Sequence, residues 1–87
     1  MRVGIVGGGI SGLALTHYLA DAGIDAVTFE SKAYPGGVIR TDRVDGRIVE
    51  RGPQRMRLSP TVDELVADLG LTAELVKAPD DLPLYVY

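Results

Sequence analysis

The residues with the clearest chemical potential are glycines. Of the eleven in this 87-residue chain, five (Gly4, Gly7, Gly8, Gly9 and Gly12) fall within the first twelve positions. Gly7, Gly9 and Gly12 have the Gly-x-Gly-x-x-Gly spacing, which offers a backbone cradle for a diphosphate. Gly7 permits a tight turn from strand to helix, Gly9 lets an anion approach the main chain, and Gly12 lets the helix pack closely on the strand. The free N–H groups and the dipole of the helix start favour negative charge there. Ser11 adds a hydroxyl beside that start, and Gly8 contributes loop flexibility. Glu30 follows Gly12 by 18 residues, close to the ~20 at which an acid meets the ribose of a bound dinucleotide. Its carboxylate would accept from both ribose hydroxyls and repel a 2′-phosphate, which disfavours a phosphorylated nicotinamide cofactor.

This chemistry needs a strand before the glycines and a helix after them, and the pattern supplies both. Arg2–Val6 is apolar and β-branched, the mark of a short buried strand. Ser11 to Ala22 predicts a helix whose apolar stripe is Ala14, Leu15, Tyr18, Leu19 and Ala22, with Gly23 as a left-handed end. Ala26–Glu30 predicts a second strand, so the first thirty residues form a βαβ unit. Tyr34-Pro35-Gly36-Gly37 is a loop. Ile39–Val44 and Arg47–Glu50 then flank Asp45-Gly46, a pair suited to a type I′ hairpin turn. Ser59-Pro60 opens an amphipathic helix with Val62, Leu65, Val66 and Leu69 on one face and Gly70 at its end. Thr72–Val76 suits another helical turn, Pro79-Asp80-Asp81 a turn, and Leu82–Tyr87 a strand. The fold class is therefore α/β: a partial Rossmann-like βαβ unit, then a β-hairpin and an amphipathic helix.

Composition removes several alternatives. There is no cysteine and one histidine, which excludes disulfides, a thiolate nucleophile and any Cys- or His-rich metal site. His17 has only Asp21 as an acid at helical spacing and is read as structural or solvent-exposed; Tyr85 and Tyr87 are read as packing residues on one strand face. The net charge of -3 argues against nucleic acid as a partner. Charge is nonetheless uneven, with six arginines against three acids in residues 40–57 and one lysine against six acids in residues 58–87. The arginine-rich middle suits an anionic ligand or a solvated hairpin face equally. No apolar run approaches the ~18–20 residues of a membrane helix, and Gly7–Gly9 interrupts what a secretory signal would keep continuous. Cytoplasmic residence is the default expectation. A chain this short buries only ~60–65% of the surface its unfolded form exposes, so its core is marginal.

The string Gly7-Gly8-Gly9-Ile10-Ser11-Gly12-Leu13-Ala14, with Glu30 after it, resembles the FAD-binding start of the flavin amine oxidase superfamily. Pro35-Gly36-Gly37-Val38-Ile39-Arg40-Thr41 resembles the second glycine motif of that superfamily. Glu50-Arg51-Gly52-Pro53-Gln54, Leu69-Gly70-Leu71 and Leu82-Pro83-Leu84-Tyr85-Val86-Tyr87 resemble the protoporphyrinogen oxidases within it. The resemblance implies that Gly7, Gly9 and Gly12 hold the pyrophosphate and Glu30 the adenosine ribose, with Lys32 near the same sugar. It also implies that Gly36 and Gly37 let the backbone pass close to the cofactor and that Gly52 and Pro53 approach the flavin.

The chemistry so implied is FAD-dependent dehydrogenation, for a protoporphyrinogen oxidase that of a tetrapyrrole in heme biosynthesis. Residues 1–87 would be the N-terminal part of an FAD-binding domain, with the substrate domain absent, no catalytic residue nameable and the isolated segment inactive. Its partners would be the cofactor and a missing C-terminal domain or partner chain, and the full enzyme would be cytoplasmic or peripheral to a membrane. Other readings stay open: a non-catalytic nucleotide-binding or assembly module pairing its exposed strand edges with another copy, an NAD-binding half-domain, or a fragment of another amine-oxidase-like or desaturase-like flavoenzyme.

Overall fold

The structure, a computed structural model of the chain, describes residues 1–81. Two compact units are present, Met1–Met56 and the part from Arg57 onward. The predicted strand Leu82–Tyr87, with Tyr85 and Tyr87, lies outside the described residues.

The first unit begins with β1 (Arg2–Val6), α1 (Ile10–Asp21) and β2 (Asp25–Phe29). β1 and β2 pair in parallel, with Arg2 opposite Asp25 and Val6 opposite Phe29. Gly7 N–H continues the ladder onto the Phe29 carbonyl at 2.8 Å. The crossover helix covers one sheet face. Val3 and Ile5 point that way, and Ile5 is 6% exposed. Val6 and Phe29 remain 92% and 61% exposed, so the expectation of a fully buried first strand fails on one face. Parallel strands are buried on both faces only when helices cover both, and α1 alone packs on this sheet.

The helix also departs from the expected stripe. Ala14, Tyr18 and Leu19 are half-buried as predicted, but Leu15 and Ala22 are exposed, while Gly12, Thr16 and His17 are half-buried. Nearly every position of α1 is apolar or small, so periodicity alone does not choose a face. Thr16 chooses it: its hydroxyl donates to the Gly12 carbonyl and hydrogen-bonds the Thr28 hydroxyl on β2. His17 lies 3.5 Å from Asp21, the partner its spacing predicts. The helix ends as Gly23 N–H bonds Ala20 and Ile24 N–H bonds Leu19, which satisfies carbonyls that would otherwise be orphaned.

The hairpin follows as β3 (Thr41–Val44) and β4 (Arg47–Glu50), antiparallel, with Val44 opposite Arg47. Asp45 and Gly46 have φ of 50° and 76°, the positive values that a type I′ turn requires at both central residues. β3 begins two residues later than predicted, because Ile39 N–H is committed to the Gly36 carbonyl at 3.1 Å. The second unit contains α2 (Pro60–Asp68) and a single 3₁₀ turn, Thr72–Glu74. Ser59 caps α2, its hydroxyl accepting from Val62 N–H at 3.3 Å with Pro60 in the first turn. Val66 is buried and Val62 and Leu65 half-buried, whereas Leu69 at the helix end is exposed. Ile5 and Val66 are the only buried apolar side chains among the described residues.

Replacing Ser59 by Ala removes the cap and is expected to destabilise α2 by about 1 kcal/mol, with Ser59→Asp preserving it. Helicity by circular dichroism during urea unfolding checks this, and an unchanged midpoint for Ser59→Ala would contradict it.

Candidate dinucleotide-binding site

The glycine loop turns in the space between β1 and α1. Gly7 has φ of 101°, a left-handed value costly for any side chain. Gly12 is required for a sharper reason. A Cβ there would overlap the Gly7 carbonyl oxygen and stand 3.5 Å from Ile5 Cγ2. The close approach expected between helix and strand is thus chiefly an approach of the helix to the turn itself.

The two helix starts differ in a way that bears on ligands. α2 is closed by the Ser59 hydroxyl and carries Asp63 in its first turn. α1 starts one residue earlier than predicted, with Gly9 as its N-cap, no side-chain cap and no acid in its first turn. The first N–H groups of a helix have no partner within it, so α1 leaves donors and partial positive charge available to an anion.

Glu30 lies one residue beyond β2 rather than at its end, and this shift gives it a second task. Its Oε1 accepts from Gly8 N–H at 2.9 Å and its Oε2 from Lys32 N–H at 2.8 Å. Each carboxylate oxygen keeps a further lone-pair direction, so a ribose diol remains within its capacity. The N–H groups of Lys32 and Gly8 hold the carboxyl below its ordinary value of 4.5. Gly8 is more than a flexible spacer. It is buried, and a Cβ there would meet Glu30 Cβ at 3.2 Å.

The second glycine pair docks on the first loop. Gly36 N–H donates to the Gly8 carbonyl at 2.8 Å, and a Cβ on Gly37 would stand 3.1 Å from Gly9 Cα. Sequence reasoning placed Gly36 and Gly37 beside a cofactor; their contacts here are with Gly8 and Gly9. Between the loops lies an open groove of about 350 Å³, lined by Val6, Gly7, Gly9, Ile10, Ser11, Gly12, Gly36, Val38 and Ile39. Its volume is in the range of small-molecule sites. Of the predicted site residues, Gly7, Gly9, Ser11, Gly12 and Gly36 line the groove, and Gly37 touches Gly9. Glu30 braces the loop through Gly8, and the Lys32 side chain is exposed. Gly52 and Pro53 are not on the lining, but Gly52 packs on the Val38 carbonyl behind it. The apolar lining residues Val6, Ile10, Val38 and Ile39 belong to the first strand and the two glycine motifs but were not assigned to the site from sequence, since an aliphatic side chain carries no ligand chemistry of its own.

A parallel strand–helix–strand unit with this loop and acid defines a dinucleotide-binding domain. Residues 5–69 match the family model described as an NAD(P)-binding Rossmann-like domain, and the chain belongs to that family. It is 39% identical over 77 residues to the coproporphyrinogen III oxidase of Staphylococcus aureus, covering 85% of this chain and 16% of that protein. It is 38% identical over 71 residues to protoporphyrinogen oxidase 2, chloroplastic/mitochondrial, of Arabidopsis thaliana, covering 80% of this chain and 14% of that one. Among solved structures, putrescine oxidase bound to putrescine superposes with a TM-score of 0.66 at 36% identity, over 80% of this chain and 16% of that chain. The resemblance read from the motifs is borne out. The chain spans about one sixth of the length of these oxidases.

Because the folded-state pKa of Glu30 is depressed, its contribution is fully present above the ordinary glutamate value and is lost as pH falls through the lower folded value. Hydrogen exchange of the Gly8 amide should therefore accelerate below the usual glutamate range, beyond the intrinsic pH effect, and Glu30→Gln should abolish that step. An identical profile in parent and variant would refute the brace. Gly12→Ala is expected to cost about 1–3 kcal/mol by overpacking against the Gly7 carbonyl, read as a lowered unfolding midpoint.

Proposed function

We propose that the chain is the FAD-binding start of a flavin-dependent oxidoreductase of the amine oxidase superfamily, of the porphyrinogen oxidase kind. The observation that carries this reading is the docking of the Gly36-Gly37 loop on the Gly8-Gly9 backbone. A nicotinamide-binding unit needs only the first loop, whereas here residues of two glycine loops line one groove, and Glu30 braces the first of them through the Gly8 N–H.

The residues fit a flavin dinucleotide. Gly7, Gly9 and Gly12 keep side chains out of the groove floor, and the uncapped start of α1 supplies N–H donors to a pyrophosphate. Ser11 adds a hydroxyl on the lining. Glu30, held ionised by the N–H groups of Lys32 and Gly8, accepts from ribose hydroxyls and repels a 2′-phosphate. Lys32, whose N–H donates to Glu30, would lie near the same sugar. Gly52, packed on the Val38 carbonyl, and Pro53 would approach the flavin side. When bound, the flavin would supply acceptance of a hydride from a substrate C–H, and this chain's part is binding and orientation.

The substrate in this reading is a porphyrinogen, bound by residues outside this chain, and the electron acceptor is dioxygen or a quinone. The partner is the remainder of a longer oxidase. No helix among the described residues is long and apolar enough to cross a membrane; the whole enzyme is proposed to be cytoplasmic or membrane-peripheral.

Titration of the labelled chain with FAD should shift the amides of Gly7, Gly9, Ser11 and Gly12, saturating only above micromolar concentration, with no oxidase turnover. If saturating FAD moves none of these amides, or NAD moves them at lower concentration, the flavin assignment fails. Tight retention of yellow flavin through gel filtration would instead show that these residues suffice for the site.

A further inference from the structure

The hairpin carries an ion triad that the dinucleotide reading leaves without a task. Asp42 on β3 is the only residue between 41 and 50 that is not exposed. Its Oδ1 accepts from Arg40 Nε at 3.2 Å and its Oδ2 from Arg51 Nε at 2.6 Å. Both carboxylate oxygens are therefore committed to guanidinium donors, which are among the stronger hydrogen-bonding partners available to a carboxylate. The same arginines are joined through their main chains, Arg51 N–H donating to the Arg40 carbonyl at 2.8 Å.

The position of the triad matters more than its strength. Arg40 immediately precedes β3 and Arg51 immediately follows β4, so Asp42 closes the open end of the hairpin, opposite the Asp45-Gly46 turn. One residue further out, Ile39 lines the groove on one side, and on the other Gly52 reaches the main chain of that lining. Gly52 packs on the Val38 carbonyl, where a Cβ would overlap it, and Val38 and Ile39 are part of the groove lining. Arg40 also lies 5.7 Å from the centre of the Tyr34 ring, on the other side of the double glycine. Apolar packing does not do this work, since Ile48 and Val49 on β4 are both exposed.

We infer that Asp42 is a positioning residue for the groove: by holding Arg40 and Arg51 together it fixes the Val38–Ile39 wall against the glycine loops. The link is electrostatic and partly open to solvent, with side-chain exposures of 25% for Asp42, 58% for Arg40 and 60% for Arg51. It is therefore sensitive to salt. The Arg51 and Arg40 guanidiniums hold the Asp42 carboxyl below its ordinary value, so the triad is charged at neutral pH.

The test is amide hydrogen exchange on the full chain without ligand, comparing the parent with Asp42→Asn, which keeps the shape and removes the charge. Exchange at Gly36, Ile39 and Arg51 should rise about threefold to tenfold, as expected for loss of an exposed ion network that governs local opening. Gly7 and Leu13, whose amides bond within the βαβ unit, should not change. About 1 M salt should reproduce the effect in the parent and add nothing to the variant, a response that loss of packing would not give. Arg51→Gln should match Asp42→Asn, and the double variant should be no worse than either. Unchanged exchange in Asp42→Asn, or a uniform rise that includes Gly7 and Leu13, overturns the inference.

A second arm rests on the proposed flavin site. FAD affinity should fall in Asp42→Asn by the same factor as the exchange rises. Unaltered affinity alongside faster exchange would show that the wall does not serve the cofactor and would overturn the positioning role. Failure of the parent itself to bind FAD would count against the flavin reading, leaving the ligand-free exchange to decide on Asp42.

Discussion

The contact on which the first unit depends is between the helix start at Gly12 and the carbonyl oxygen of Gly7. No side chain fits between them. That proximity sets how sharply the chain reverses from β1 into α1, and hence where the uncapped N–H groups of the helix stand relative to the end of the strand. Bring the helix one methyl group further out and the loop would open. The uncapped donors of the helix start, the half-burial of Thr16 against Thr28, and the reach of Glu30 to Gly8 all follow from that reversal.

Around this turn the structure is assembled from backbone contacts more than from a hydrophobic core. The double glycine docks through one main-chain hydrogen bond and one close Cα approach, and Gly52 docks on a carbonyl. Each of these joints works because a side chain is missing. Such joints bury little apolar surface, and burial of apolar surface supplies most of the stabilisation in folded domains. The sheet face bearing Val6 and Phe29 stays exposed, and so do Leu13 and Leu15 on different sides of α1. α1 is apolar or small at most positions, yet none of its residues is buried.

Much of the fold was legible because its signals are local. Asp45-Gly46 specified a turn with two positive φ values, and Ser59-Pro60 specified a helix start, with no help from the rest of the chain. The glycine fingerprint and its acid were legible for the same reason, since spacing along one turn and one crossover is a property of sequence. The buried face of α1 was not. Leu15 is as hydrophobic as Leu19, and the choice between them was made by a hydroxyl pair whose members lie twelve residues apart. The docking of Gly37 on Gly9 was equally hidden, because a glycine announces that space is tight but not what fills it.

The sequence by itself determined the kind of ligand: glycines at turn spacing, an open helix start and an acid one crossover later suit a dinucleotide whatever the remainder of the chain does. Tertiary structure alone decided what each of those residues touches. Glu30 accepts from the amides of Gly8 and Lys32, Gly8 is buried rather than loose, and Asp42 bridges Arg40 and Arg51 at the open end of the hairpin. The physical reason is range. Turn geometry and helix capping act over a few bonds and are written in consecutive residues, whereas a hydrogen bond between Gly8 and Glu30 exists only after the parallel pairing of β1 and β2 has brought their ends together.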